Sequence, residues 1–450
     1  MEIVKIENEK MRRPIFVLTE PHGDAIICKK KLILGAPLGL EKRGGNNVDI
    51  IALLGELFSG VVYLASLEGL KTLVMFAIAG GLIYLAVKKD YEPALLLPIG
   101  FGAILANLPP VMDEAGKLAA SVLGTEGFLS VLFNAGISNE LFPILIFIAV
   151  GAMIDFSPLM KDPSMIFFGA AAQFGIFATF LVSLVLIPIV LPATAGDQSM
   201  IMRLAAAIGI IGAADGPTTL YVANHFKLVE YMGPISVAAY SYMSMVPVIQ
   251  PPVIRMCTTK KERLIRMNYN EARAPKTALI LFPVIVTAVS GILVPMSAPL
   301  VGSLMFGNLI RECGVLERLS QTAQNELANL VTILLGITIG GTMVADQFLK
   351  LDTLLIMGLG LFAFVFDTAG GVLFAKLLNL FRKNKINPMV GAAGISAFPM
   401  SARVIQKMAK DEDPYNFILM QSISANVSGQ LGSIVAGGMV ITLVGMLIGW

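Results

Sequence analysis

A carboxylate, a glycine and a proline interrupt a run otherwise as apolar as a lipid-spanning helix at Gly212-Ala213-Ala214-Asp215-Gly216-Pro217-Thr218. A near copy, Gly391-Ala392-Ala393-Gly394-Ile395-Ser396-Ala397-Phe398-Pro399, returns in the second half. Pro and Gly release backbone carbonyls from helical hydrogen bonding, and at membrane depth such groups survive only inside protein or along a polar cavity. An ionisable residue at that depth is a functional candidate by default. Paired interruptions in corresponding halves of a chain are the strongest sequence pointer to a transport site.

The rest of the chain fits a membrane. Only 14% of its 450 residues are charged, 56% are hydrophobic, and the mean hydropathy is +0.78, too few charges to cover a soluble globule. The net charge of +2 is nearly neutral, and no nucleic-acid partner is expected. Cys28, Cys257 and Cys313 are scattered without metal or disulfide spacing, and His22 and His225 are the only histidines. No phosphate-binding G-x-x-x-x-G-K-[ST] loop is present, so ATP is not the energy source. Lys407-Met408 follows Gln406, so no Met-Lys-Met biotin-attachment motif occurs there.

Runs of about 20 apolar residues divide the chain into a polar, basic extension over 1–46, a first transmembrane half over 47–254, a basic connector over 255–276 and a second half over 277–450. The extension lacks an apolar core with a small-residue cleavage site and reads as cytoplasmic; its Ile15-Phe16-Val17-Leu18 suits a strand or a docking segment. The marginal segment 48–66 either crosses the membrane or lies on it. Lys and Arg mark cytoplasmic loops, which places Lys88-Lys89, the connector, Arg382-Lys383-Lys385 and Lys407 to Lys410 on one side. Gly151-Ala152-Met153-Ile154-Asp155 and Gly212-Ala213-Ala214 recur, in the same order, roughly 190 and 180 residues later. The expected fold is an all-α polytopic membrane protein of two inverted-topology repeats whose discontinuous helices meet near the bilayer midplane.

The interrupted segments carry the ligand types a dehydrated Na+ needs, hard oxygens of which at least one is anionic. Asp215 offers the charge, Asn387 and Asn426 amide oxygens, Ser396 and Thr218 hydroxyls, and the breaks backbone carbonyls. An unpaired carboxylate in hydrocarbon costs at least ~2.5 kcal/mol, so Asp215 needs a proton, a partner or a bound cation; alternatively it caps a half-helix. Arg403, just after the second interruption, either receives a carboxylate in a bidentate pair or anchors the cytoplasmic face. Tyr240 and Tyr242 sit about 200° apart on a helix, so one of the two faces the interruption.

These segments resemble the β subunit of the biotin-dependent, sodium-pumping decarboxylases that act on oxaloacetate, methylmalonyl-CoA and glutaconyl-CoA. The resemblance covers roughly residues 70–450. It is carried by Glu92 to Gly102, Val150 to Phe156, the Asp215 run, Val237 to Met243 with Gln250-Pro251-Pro252, Asn387 through Arg403, and Asn426 to Gln430. It implies that carboxybiotin, borne by a separate carrier, is decarboxylated at the cytoplasmic face while a proton is consumed and Na+ moves outward. It implies Na+ and proton chemistry at Asp215, with Asn387, Ser396 and Asn426 beside it and Gly391 allowing close helix approach. It assigns Arg403 to carboxybiotin, and Tyr242, better than Tyr240, to the functional tyrosine. The implied partners are a biotin carrier protein, a carboxyltransferase α subunit, a small single-span γ- or δ-type subunit and further copies of the chain, in the inner or plasma membrane of a bacterium or archaeon. A stand-alone Na+-coupled carrier or Na+/H+ antiporter is the competing reading.

Overall fold

The computed structural model describes residues 2–6, 15–19, 59–64, 66–90, 92–109, 127–194, 196–267 and 274–450. The chain divides into two compact units, Met1–Leu57 and Phe58–Trp450. In the first, β1 (Glu2–Ile6) pairs antiparallel with β2 (Ile15–Thr19), Val4 opposite Val17; the Ile15 run is thus a strand. The part of the marginal segment over 48–58 lies outside the described residues.

The regular elements among the described residues of the second unit are all helices. In chain order its main helices are α1 (Leu67–Lys89), α2 (Pro93–Ala106), α3 (Leu141–Met153), α4 (Ile166–Ala172), α5 (Phe174–Val190), α6 (Gln198–Ile211), α7 (Gly216–His225), α8 (Met232–Ser244) and α9 (Val246–Cys257). After the basic connector come α10 (Lys276–Leu293), α11 (Ala298–Cys313), α12 (Ala328–Gly341), α13 (Leu351–Phe381), α14 (Met400–Glu412) and α15 (Leu419–Ile448). Local sequence sets the ends. Ser66 accepts from Gly69 N (3.0 Å) to start α1, Asp197 accepts from Met200 N (2.9 Å) to start α6, and Pro93 opens α2 where no backbone N–H is needed.

Five stretches among the described residues are long and apolar enough to cross a membrane: Gly69–Lys89, Pro163–Val190, Lys276–Leu293, Leu351–Phe381 and Leu419–Ile448. Two bent pairs, Phe128–Ile137 with Leu141–Met153 (60°) and α8 with α9 (69°), raise that to seven if each is one span. Leu181, Val185 and Ile189 stand exposed four residues apart on α5, a stripe of the kind a lipid-facing helix presents. Lys407 and Lys410, read from sequence as loop residues, stand on the amphipathic α14.

The two halves follow one element order. A single turn of π-helix (Phe133–Ile137; Ala323–Leu327) precedes α3 and α12. A short helix (Ser157–Lys161; Ala345–Phe348) follows each, then a long span, then an interrupted segment. The packing is reciprocal: α2 runs along α12, and α3 along α11. In each pair glycines bring the backbones together, Gly102 against Ile337 O and Gly340 against Ile99 O in one, Gly151 against Leu304 O and Gly307 against Ile148 O in the other. A side chain at any of these four positions would press into a carbonyl.

Candidate functional site

The break between α6 and α7 begins where the N–H groups of Gly212, Ala213 and Ala214 turn to carbonyls three residues back, each at 3.1 Å, tightening the last turn. Ala214 then takes φ 53°, a left-handed conformation that a residue with a Cβ adopts at a cost of ~1–3 kcal/mol. Asp215 follows as the N-cap of α7: its Oδ1 accepts from Thr218 N at 3.2 Å. Capping engages one carboxylate oxygen. The other, Oδ2, accepts from the Thr218 hydroxyl and from the Ser433 hydroxyl, both at 2.7 Å. The carboxylate is buried, 3% exposed.

The second interruption is a 3-10 run, Pro388–Gly394, followed by a non-helical stretch of bends and turns to Pro399, whose peptide bond with Phe398 is cis. The two interruptions touch: Ser396 N donates to Ala213 O at 2.9 Å. The Ser396 hydroxyl lies 2.5 Å from that of Ser433 and 3.1 Å from Gly429 O. A buried hydroxyl chain, Ser396 to Ser433 to Asp215, therefore crosses from one break to the other. Asn426, on α15 seven residues before Ser433 and so on the same helical face, donates to Ala393 O (3.1 Å) and Ile395 O (2.6 Å). Its Oδ1 is buried with no hydrogen-bond partner among the described residues. A carboxylate, hydroxyls and an unused amide oxygen make a hard-oxygen environment. Among the described residues no cluster of three His, Cys, Asp or Glu side chains exists to hold a transition metal.

The remaining sequence candidates stand around this network at different places. Tyr240 lies with its ring against Gly216, the residue after Asp215, and its buried hydroxyl has no partner among the described residues. Tyr242 points to α13 instead, donating to Met357 O at 2.5 Å. Asn387 caps the 3-10 run through Met389 N (3.1 Å) and donates to Arg263 O (2.8 Å) and Ile265 O (2.9 Å), so its side chain ties the second break to the connector, not to Asp215. Gly391 lies directly on Gly371 of α13, each in the path of a Cβ on the other. Ser433 is absent from the sequence reading, and Gln250 enters it only within the Gln250-Pro251-Pro252 motif, with no role attached. The Gln250 amide donates to Ala392 O (2.9 Å) and accepts from the Ser401 hydroxyl (3.0 Å), pinning the second break to α9. The seven-residue spacing from Asn426 was the available signal for Ser433.

Arg403 is exposed on α14 and, with Gln406, Lys407, Lys410, Asp411 and Leu419, lines a cleft of about 370 Å3. Arg403, Lys407 and Lys410 share one face of the helix at spacings of four and three. The connector fastens α14 from beside it: Arg263 pairs with Glu412 (2.6 Å) and Arg266 with Asp413 (2.7 Å). The hydrogen bond from Arg266 holds the Asp413 carboxyl below its ordinary range, so the Arg266–Asp413 pair is formed at neutral pH and is lost only as the medium is acidified through that lowered value.

Comparison with known proteins bears on this arrangement. A family model described as "Na+-transporting oxaloacetate decarboxylase beta subunit" matches residues 71–444. The methylmalonyl-CoA decarboxylase subunit beta of Propionigenium modestum is 45% identical over 390 residues, 83% of this chain and 95% of its own length. Its counterpart in Veillonella parvula is 46% identical over 371 residues, 82% and 92%. The oxaloacetate decarboxylase beta chain 2 of Salmonella typhi is 43% identical over 431 residues, 86% and 97%. With most of its length matched on both counts, the chain belongs to the family of Na+-transporting oxaloacetate decarboxylase beta subunits.

Proposed function

We propose that the chain is the multi-pass inner-membrane subunit of a bacterial decarboxylase complex, in which decarboxylation of carboxybiotin on a separate carrier drives Na+ outward. The observation that carries this reading is the buried Ser396–Ser433–Asp215 chain joining the two helix breaks. Na+ is the cargo. Asp215 supplies the anionic oxygen, Ser396, Ser433 and Thr218 hydroxyl oxygens, and Asn426 its free amide oxygen. A hydroxyl has one proton and two lone pairs, so rotation of Ser433 or Ser396 turns an oxygen toward an arriving cation without breaking the backbone. Asn387 acts as a tether between this network and the connector, and Gly391 lets the second break lie on α13.

Release of CO2 from carboxybiotin consumes one proton at the ureido nitrogen. Asp215 and a phenol are the groups at the break able to yield it, and Na+ arriving at the carboxylate disfavours the protonated form by charge repulsion. Coupling follows from that competition. The placement of Tyr240 against Gly216 favours it over Tyr242 as the phenol concerned. Arg403, at the end of the second break and facing a basic cleft, receives the carboxylate of carboxybiotin. A carboxyltransferase α subunit, a biotin carrier, a single-span γ- or δ-type subunit and further copies of the chain complete the assembly. The common element order and the reciprocal α2–α12 and α3–α11 packing support two inverted repeats meeting at the breaks.

Repeats and broken helices suit a stand-alone antiporter equally well, and transport separates the two. In liposomes the purified chain is expected to move no Na+ under a pH gradient alone and to move it when its partner subunits and carboxybiotin carrier are present. Uptake by the chain alone, driven by the pH gradient, would make it an antiporter.

A further inference from the structure

A second carboxylate lies fully buried in the unit, and nothing in the account so far uses it. Asp367, at the middle of α13, is 0% exposed and sits where two helix interruptions meet, the one at Gln173 between α4 and α5 and the one at Gly212 between α6 and α7. Its Oδ1 accepts from Ile176 N at 3.1 Å in the first turn of α5. That contact satisfies a donor the helix leaves open, and a neutral asparagine would serve it as well. It does not account for an acid at this position. The other oxygen, Oδ2, has no hydrogen-bond partner among the described residues. It faces Gly212, where a Cβ would lie 2.5 Å from it; at Gly175 a Cβ would strike Oδ1. Two glycines thus bring the backbones of α5 and α6 against the two sides of one carboxylate.

Uncommitted hydroxyls lie along the helices that meet at it. Gly175, Thr179 and Ser183 follow one another at four-residue spacing along one stripe of α5. The hydroxyls of Thr179 and Ser183, and that of Thr368 beside Asp367, are buried and have no partner among the described residues. A hydroxyl within an apolar helix ordinarily bonds back to the carbonyl four residues earlier, as Thr287, Ser303 and Thr338 of this chain do at 2.6–2.8 Å. The α5 hydroxyls forgo that bond. A carboxylate with a free oxygen, packed on Gly175 one turn before the uncommitted Thr179 hydroxyl, offers the hard oxygens that a monovalent cation takes.

We propose that Asp367 is the anionic ligand of a further Na+ site, separate from the one at Asp215 and placed at the junction of α5, α6 and α13. The inference rests on the reading of the chain as a Na+ pump. Gly212 stands three residues before Asp215, so a cation at Asp367 bears directly on the end of the helix that carries the Asp215 break.

Equilibrium binding of radioactive Na+ to the purified complex tests this. Asp367→Asn keeps an oxygen for Ile176 N–H and is expected to bind half as many Na+ per chain as the wild type; unchanged capacity would reduce Asp367 to a helix cap and overturn the proposal. A second measurement needs no variant. A hydrophobic carbodiimide, which labels buried protonated carboxyls, is applied to the wild-type complex with and without Na+, and the labelled peptides are read by mass spectrometry. Labelling of Asp367 is expected to fall as Na+ is added; absence of label, or label indifferent to Na+, would overturn the site. Asp215 is read in the same spectrum. Protection at Asp367 without protection at Asp215 would sink the reading of the Asp215 network and leave this site standing, whereas the reverse pattern would sink this site alone.

Discussion

Asp215→Asn is expected to abolish both carboxybiotin decarboxylation and Na+ uptake into inverted vesicles. Asparagine has nearly the same shape and is as good an N-cap, so it keeps an acceptor for Thr218 N and the α7 cap survives. What disappears is the charge. The second side-chain position becomes an amide donor or a neutral oxygen where Thr218 and Ser433 now deliver two hydroxyl hydrogen bonds. Removing the anionic partner of a buried ion costs ~3–5 kcal/mol, which is about 100- to 4,000-fold in Na+ affinity. The proton that carboxybiotin needs loses its donor in the same substitution, so chemistry and transport fail together. Carbon dioxide release and Na+ uptake, measured on one preparation with complex assembly checked alongside, decide the matter. Coupled activity near the wild-type level in Asp215→Asn would remove Asp215 from the mechanism.

Arg403→Ala is expected to fail differently. The guanidinium is exposed at the cleft it shares with Lys407 and Lys410 and makes no hydrogen bond with the Asp215 network. Its loss removes a bidentate, charge-assisted contact with the substrate carboxylate, ~1.5–3 kcal/mol, or about 10- to 150-fold in turnover of carboxybiotin. Na+ binding by the purified complex should stay at the wild-type value. Arg403→Lys, which keeps the charge and loses the planar fork, should recover only part of the activity. Loss of Na+ binding in Arg403→Ala would instead mark the arginine as a structural anchor of α14.

The separation between these two outcomes follows from how the second interruption is built. Ser396 bonds the first break through its backbone and its hydroxyl belongs to the Asp215 chain, while Arg403 lies seven residues on, in the first half of α14. Gln250 and Ser401 hold the intervening turn, and Asn387 ties its other end to the connector. The connector in turn clasps the end of α14 through Glu412 and Asp413. An event at the basic cleft thus has a continuous path of hydrogen bonds and backbone to the ion network.

The parts of this arrangement that a local signal specifies are legible in the sequence. Glycine and proline beside Asp215 announce a helix break because both release backbone hydrogen bonds, and the break lies where that reasoning puts it. The basic connector and the long apolar runs of α1, α5, α10, α13 and α15 are readable for the same reason. What depends on side-chain direction across helices was not. Tyr240 and Tyr242 are indistinguishable by composition, and only packing on Gly216 or on α13 separates them. Asn387 looked like an oxygen ligand because of its chemistry; its neighbours, the carbonyls of Arg263 and Ile265, come from a connector more than a hundred residues away in sequence. The positive-inside rule marks Lys407 and Lys410 as cytoplasmic loop residues, and it says nothing of the helix that carries them. Asp367, the one acid in the apolar middle of a 31-residue helix whose other acid, Asp352, stands in its first turn, is as clear a signal as Asp215 but has no flanking proline.

Carboxybiotin turnover by the assembled complex, followed across a full range of Na+ concentration, tests most directly whether one acid at a helix break exchanges its proton for sodium. Turnover is expected to fall to background when Na+ is removed, to rise with Na+ and to saturate. Turnover indifferent to Na+ at every concentration would contradict the coupling of decarboxylation to transport.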